Sequence, residues 1–256
     1  MSGLEIIDIH SHLNFPQYDD DREAVFARAN GAGIGMINVG TDLASSRLAV
    51  SLAQERDNVW ATVGLHPTDH VEGFEREVYL SLAKNEKVVA IGECGLDYFH
   101  QKTEEEKRKQ QEIFIQQIDL ANELKKPLML HIRNAYREAY EILKTRAEVK
   151  GNAHFFAGTW EEARLFLDFG FTLSFGGVIT FTRDYDEVIK NTPIEMILTE
   201  TDCPFVAPIP YRGKRNEPSY LPEIVRKLAE IKGLTYVEVA TETLKNAKRV
   251  FLPNFN

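Results

Sequence analysis

Cysteine, basic charge and long apolar runs are all scarce in this sequence. Cys94 and Cys203 are its only cysteines. They are too few for a disulfide framework, and both read as small buried packing thiols. No apolar stretch approaches the ~18 residues that a membrane span needs. The opening Met1-Ser2-Gly3-Leu4-Glu5 has neither a basic region nor a signal-type apolar core. These absences argue for a reducing, cytoplasmic setting without membrane attachment. The 39 acidic residues outnumber the 30 basic ones, for a net charge of −9. That balance disfavours broad electrostatic attraction to nucleic acid, although two bound divalent ions would reverse the field in one pocket. No glycine-rich phosphate loop follows an early strand, so a dinucleotide fold is disfavoured. No linker, repeat or low-complexity tract divides the chain, and no feature points to an obligate protein partner. With 43% hydrophobic and 27% charged residues, one globular domain over residues 1–256 is expected.

What is present is an alternation of short apolar runs with longer, charged segments of helical spacing. Strands are predicted at Leu4–Ile9, Ile34–Val39, Val59–Gly64, Val88–Glu93, Pro127–His131, Asn152–His154, Phe171–Phe175 and Met196–Thr199. Runs such as Val88-Val89-Ala90-Ile91 suit parallel strands covered on both faces. Helices are predicted at Asp21–Asn30, Ala44–Glu55, Glu75–Lys84, Thr103–Leu124, Ala135–Arg146, Trp160–Phe169 and Tyr185–Lys190, with two more near Leu221–Ile231 and Val237–Val250. Thr103 with Glu106 fits a capping box. Repeated strand–helix units in a chain of this length predict an α/β fold, a (β/α)8 barrel of the TIM type. An open doubly wound sheet is the alternative.

His10 and His12 end the first apolar run. Alternate strand residues share a face, so the two imidazoles converge, and imidazole is the commonest metal ligand. Glu93, His131 and His154 end later strands, and Asp202 follows the last one. In a barrel these six reach the same C-terminal rim. Four histidines and two carboxylates can hold two divalent ions, with one carboxylate bridging; zinc, manganese and magnesium all suit such donors. Taken singly, each is more often a polar strand end than a ligand. Their arrival from different strands at one rim is what argues against packing.

The motifs Asp8-Ile9-His10-Ser11-His12, Gly64-Leu65-His66-Pro67, Gly92-Glu93-Cys94-Gly95-Leu96-Asp97-Tyr98, Leu130-His131-Ile132-Arg133, Glu200-Thr201-Asp202-Cys203-Pro204 and Arg212-Gly213-Lys214-Arg215-Asn216-Glu217-Pro218 resemble the TatD family of metal-dependent hydrolases, among the amidohydrolase-like barrels. The resemblance runs from residue 8 to the final helices. It implies a divalent-metal-dependent 3′–5′ exodeoxyribonuclease acting on single-stranded DNA ends. It also implies that His10, His12 and Asp202 hold one metal, that His131 and His154 hold the other, and that Glu93 bridges. One departure is visible. The family usually has Cys-Phe-Ser-Gly after the sixth-strand histidine, whereas this chain reads His154-Phe155-Phe156-Ala157-Gly158. That exchange alters pocket shape and hydrogen bonding.

The expected nucleophile is a hydroxide shared between two metals about 3.5–4 Å apart, with Asp202 as proton acceptor and Glu93 as the bridge. Arg133, two residues beyond His131, and Arg212 in the long loop after the last strand are candidates for holding phosphate. For Arg133 the alternative is a salt bridge to a rim carboxylate. His66 is a candidate for orienting substrate or protonating the leaving oxygen, with a rigid turn residue as the alternative. Asp8 and Glu200 are expected on the faces of His10 and Asp202, as partners of a ligand imidazole or as structural groups. His70 and His100 read as surface residues without a role. Pro204–Pro222, with Phe205, Tyr211 and Tyr220 beside Arg212, Lys214 and Arg215, has a composition suited to single strands; an ordered lid is the alternative. Two further readings remain open: an ester or amide hydrolase on the same site, such as an aminoacyl-tRNA deacylase, and a non-catalytic binding barrel.

Overall fold

The computed structural model of the chain describes residues 4–69, 73–100 and 103–253. Eight parallel strands succeed one another around one sheet: β1 (Ile6–Ser11), β2 (Ile34–Val39), β3 (Val59–Val63), β4 (Val88–Asp97), β5 (Leu128–Arg133), β6 (Gly151–Ala153), β7 (Thr172–Phe175) and β8 (Ile197–Thr199). Helices α1 (Arg22–Gly31), α2 (Leu43–Gln54), α3 (Arg76–Ala83), α4 (Glu104–Leu124), α5 (Tyr136–Arg146), α6 (Trp160–Asp168) and α7 (Asp186–Asn191) connect them. After β8 come α8 (Leu221–Lys232) and α9 (Tyr236–Phe251). The expected TIM-type barrel therefore forms, nearly closed. Among the described residues, no helix is long and apolar enough to cross a membrane.

The apolar runs are nearly continuous because the strands are buried on both faces. Ile7, Ile9, Ile37, Trp60, Met129 and Leu198 fill the barrel interior, and Phe251 and Leu252 at the end of α9 join that cluster. Ile6, Met36, Ile91, Leu128 and Leu130 pack outward with the helices. The capping box of α4 is as predicted: Glu106 N–H donates to Thr103 Oγ1 at 3.2 Å, and Thr103 N–H donates to Glu106 Oε2 at 3.0 Å. Thr159 with Glu162 and Thr235 with Glu238 start α6 and α9 in the same way.

Two bulges set which residues reach the rim. Strict alternation from Ile7 and Ile9 would turn His10 outward. A register shift against β2 between Asp8 and Ser11 resets the phase, as bulges do, and His10 and His12 turn inward above Ile9. The expectation that Asp8 shares the face of His10 is thereby corrected. Asp8 pairs with the outward-packing Met36 and accepts hydrogen bonds from the Thr201 N–H at 2.9 Å and the Thr201 hydroxyl. A second shift, in β4 between Ile91 and Cys94, turns Glu93 inward between those two outward residues. β4 also outlasts its apolar run, because Cys94–Asp97 stay paired with Leu130–Arg133.

The close approach of β4 to β5 requires glycine. Gly92 and Gly95 have φ of 147° and 143°, a region L side chains rarely adopt. A Cβ on Gly95 would collide with the His131 carbonyl, and one on Gly92 with the Met129 carbonyl. Gly95→Ala is expected to destabilise the protein by about 2–4 kcal/mol through strain and overpacking. The urea midpoint is the measurement, and an unchanged midpoint would show that β4 and β5 can separate freely.

Candidate metal centre

Glu93 is buried, and its two carboxylate oxygens face different neighbours. Oε2 lies 3.3 Å from His10 Nε2 and 3.8 Å from His12 Nε2. Oε1 lies 2.9 Å from His131 Nδ1 and 2.9 Å from His154 Nε2, with His66 Nε2 at 3.4 Å. Asp202 Oδ1 completes the first group, 3.4 Å from His12 Nε2 and 3.9 Å from His10 Nε2. The six residues expected from the sequence thus come together. Three overlapping sets have the spacing to hold a metal ion: His10 with His12 and Asp202, His10 with Glu93 and His154, and His66 with Glu93 and His131.

The donor chemistry fits divalent ions. His10 Nε2 and His12 Nε2 point at each other across 3.1 Å, which two lone pairs tolerate only with a proton or a cation between them. The outer ring nitrogens fix the tautomers. His12 Nδ1 lies 3.0 Å from the Val39 carbonyl, so it carries the hydrogen and Nε2 keeps its lone pair. His131 is turned the other way: Nε2 lies 3.1 Å from Asp97 Oδ2, leaving Nδ1 for Glu93 and an ion. His154 Nδ1 stands 3.6 Å from Glu200 Oε1, an ion-pair distance longer than a hydrogen bond. Glu200 is itself locked, accepting from the Phe155 N–H at 2.6 Å and from Ser174 Oγ at 2.6 Å. The His10 ring stacks on that of His154 at 3.8 Å, and its buried Nδ1 has no hydrogen-bond partner among the described residues.

The charges follow from these neighbours. Burial alone would raise Glu93, but His154, His66 and His10 outweigh it and hold the carboxyl well below its ordinary range. Burial would lower His154, yet Glu93 and Glu200 hold it well above the usual imidazole value. Against the same burial, Asp97 and Glu93 raise His131, and Asp202 with Glu93 raises His12. For His10 the second carboxylate, Asp202, stands off at 3.9 Å, and His66 feels Asp97 only at a distance. Burial and a neighbouring imidazole push His10 down to about 4 and His66 down to about 3.

Several positioning groups escaped the sequence reading. Gln110 and Gln117 lie seven residues apart on the buried face of α4 and clamp backbone from outside the barrel. Gln117 accepts from the Leu65 N–H at 2.8 Å and donates to the Leu65 carbonyl at 2.9 Å. Gln110 does the same for Asp97, at 2.8 and 3.1 Å. Their signal was a polar residue on the stripe otherwise made by Ile113, Phe114, Ile118 and Ala121. Asp97 was quoted in a motif without a role. Its Oδ2 reaches both His131 and, at 2.8 Å, Nδ1 of His100.

The centre opens into a cavity of about 630 Å³, in the size range of small-molecule sites. Phe15, Phe155, Phe205, Tyr185, His100 and Arg133 line its walls beside the ligand-type residues. Phe15 stacks on His12 at 4.4 Å and meets Phe205 edge-on at 6.3 Å. A larger groove of about 830 Å³ lies by α1, but Arg56, which lines it, is spent on an ion pair with Glu23. Arg133 does reach the cavity, with its guanidinium 3.9 Å over the Phe99 ring, and among the described residues it makes no ion pair. Arg212 does not line the cavity; it lies 3.6 Å over Phe181. Arg215 is held by Asp21, and Tyr211 stacks on Tyr220 at 3.7 Å. Much of the loop after β8 is thus engaged with the rest of the protein or with itself, and its exposed aromatic at the cavity is Phe205. His66 lines the cavity with its nitrogens directed at Thr68 and Glu93. His70 lies outside the described residues.

Comparison with known proteins agrees with this geometry. Residues 7–252 match the family described as TatD related DNase. The chain is 41% identical over 256 residues to the uncharacterized metal-dependent hydrolase YabD of Bacillus subtilis, covering 97% of this chain and 100% of that protein. It is 33% identical over 258 residues to the 3′–5′ ssDNA/RNA exonuclease TatD of Escherichia fergusonii, covering 96% of this chain and 98% of that one. The crystal structure of YJJV, a TatD homologue from Escherichia coli K12, matches with a TM-score of 0.88 at 29% identity, over 96% of this chain and 98% of that chain. The protein belongs to the TatD family and is a metal-dependent hydrolase.

Proposed function

We propose that this hydrolase is a nuclease that removes nucleotides from the 3′ ends of single-stranded DNA. The observation that carries the reading is the division of the Glu93 carboxylate, Oε2 toward His10 and His12 and Oε1 toward His131 and His154. In this reading His10, His12 and Asp202 would hold one ion and His131 and His154 the second, with Glu93 as the ligand shared between them. The imidazole-rich set suits manganese or zinc and admits magnesium. Two divalent ions bound there supply charge neutralisation at phosphoryl oxygens and a more acidic water.

The chain's own residues do the rest. Asp202 keeps a partly open carboxylate beside His12 and takes the proton of the attacking water. Arg133 presents its fork at the cavity wall and holds a non-bridging phosphate oxygen. Phe15 and Phe205 offer ring faces beside the His12 group, where a base stacks without regard to sequence. Support for a single-stranded substrate comes from this aromatic wall and from the relative named as a 3′–5′ ssDNA/RNA exonuclease.

With Mn²⁺ or Mg²⁺, a 3′-labelled single-stranded oligonucleotide is expected to lose label first and then shorten stepwise, and EDTA is expected to stop the reaction. His131→Ala and Glu93→Ala are each expected to lower the rate at least about 100-fold while the fold persists. If the wild type leaves DNA intact but cleaves an ester or amide such as an aminoacyl-tRNA, the nuclease reading is wrong and the same ligands serve a carbonyl. Glu200→Gln keeps the shape but removes the charge facing His154. It is expected to weaken Mn²⁺ binding about 10- to 100-fold by calorimetry, and wild-type affinity would remove Glu200 from the account of His154.

A further inference from the structure

The departing oxygen needs a proton, and none of the residues assigned above is placed to give it one. Asp202 accepts a proton from water, and Glu93 is an anion enclosed by imidazoles. His66 stands at the cavity, but its Nδ1 accepts from the Thr68 N–H at 3.3 Å and lies 2.7 Å from the Thr68 hydroxyl. Its Nε2 aims at Glu93 Oε1. Both nitrogens of that ring are engaged inside the protein.

His100 is arranged differently. Its Nδ1 lies 2.8 Å from Asp97 Oδ2, and its backbone N–H donates to Asp97 Oδ1 at 2.8 Å. Asp97 is fixed in turn, by Gln110 at its backbone and by His131 at Oδ2. The His100 side chain is 51% exposed and lines the cavity with Arg133. Its ring meets Phe99 edge-on at 5.0 Å, and Phe99 carries the Arg133 guanidinium on its face. With Nδ1–H given to Asp97, Nε2 is left open to the cavity. An aspartate so placed fixes the orientation and tautomer of an imidazole.

We propose that His100, oriented by Asp97, is the general acid that protonates the leaving O3′ as a 3′-terminal nucleotide is released, an inference that rests on the nuclease reading above. A water oxygen forms the new bond to phosphorus, and its proton passes to Asp202. The P–O3′ bond breaks, its electron pair stays on O3′, and the Nε2 proton of His100 completes that hydroxyl. The products are a 5′-mononucleotide and a strand shortened by one residue. His100 regains a proton from solvent at its exposed edge, and Asp202 releases one. Asp97 is a positioning residue.

Leaving-group dependence tests the assignment. The wild type, His100→Gln and His100→Ala are assayed with Mn²⁺ on a single-stranded oligonucleotide and on the p-nitrophenyl ester of thymidine 5′-phosphate. The aryl oxide departs without a proton, whereas the alkoxide of the oligonucleotide needs one. In both variants kcat on the oligonucleotide is expected to fall about 100-fold or more, with a loss on the aryl ester at least about tenfold smaller. Equal losses on the two substrates, or an undiminished rate on the oligonucleotide, would overturn the acid role. A wild type inactive on both would overturn the nuclease reading itself, and the acid role with it.

Discussion

A carboxylate buried at the mouth of the barrel organises everything around it. Glu93 is 4% exposed, and an isolated anion there would carry a large desolvation penalty. His10, His12, His66, His131 and His154 each bring a ring nitrogen to within 3.8 Å of it. What separates these imidazoles is how close a second acid stands. His154 has Glu200 at 3.6 Å, His131 has Asp97 at 3.1 Å and His12 has Asp202 at 3.4 Å, and those three are raised; Asp202 is 3.9 Å from His10, His66 has only the more distant Asp97, and both of these imidazoles are lowered. Ligand geometry and charge compensation are thus the same arrangement.

Most of the barrel was legible because its driving force is local. Apolar runs covered on both faces announced the strands: β2 has its predicted limits, and β3 and β4 start where predicted. The clustered side chains were legible too, since His10, His12, Glu93, His131 and Asp202 lie in motifs of fixed order. What could not be read was phase. Whether Asp8 or His10 turns inward depends on a shift of β1 against β2, and whether Glu93 does depends on β4 against β5. Those are properties of pairs of strands distant in sequence. The partners of Asp97 and the outside clamp by Gln110 and Gln117 were hidden for a related reason, because hydrogen bonds from a helix to a loop leave no periodic trace.

The acidic composition, which weighed against a nucleic-acid ligand, is less decisive once charges are placed. At the cavity, Arg133 and a ring of imidazoles stand with Asp69, Glu93 and Asp202 beside Phe15 and Phe205. The local field and the aromatic surface, not the total charge, set what this pocket can receive.

The seam between the last strand and the first has a consequence of its own. β1 and β8 share no extended ladder among the described residues; one bridge joins Ser11 to Cys203. The seam is sewn by the site's backbone: Asp202 N–H to the His10 carbonyl at 2.9 Å, His12 N–H to the Cys203 carbonyl at 2.9 Å, and Asp8 to Thr201. The two ends of the chain's sheet therefore meet at residues of the candidate metal centre. A partly assembled barrel that lacks β1 or the segment after β8 lacks part of the His10–His12–Asp202 group. Docking the last strand beside the first also creates that group, so an ion bound there would act as a clasp on the finished fold.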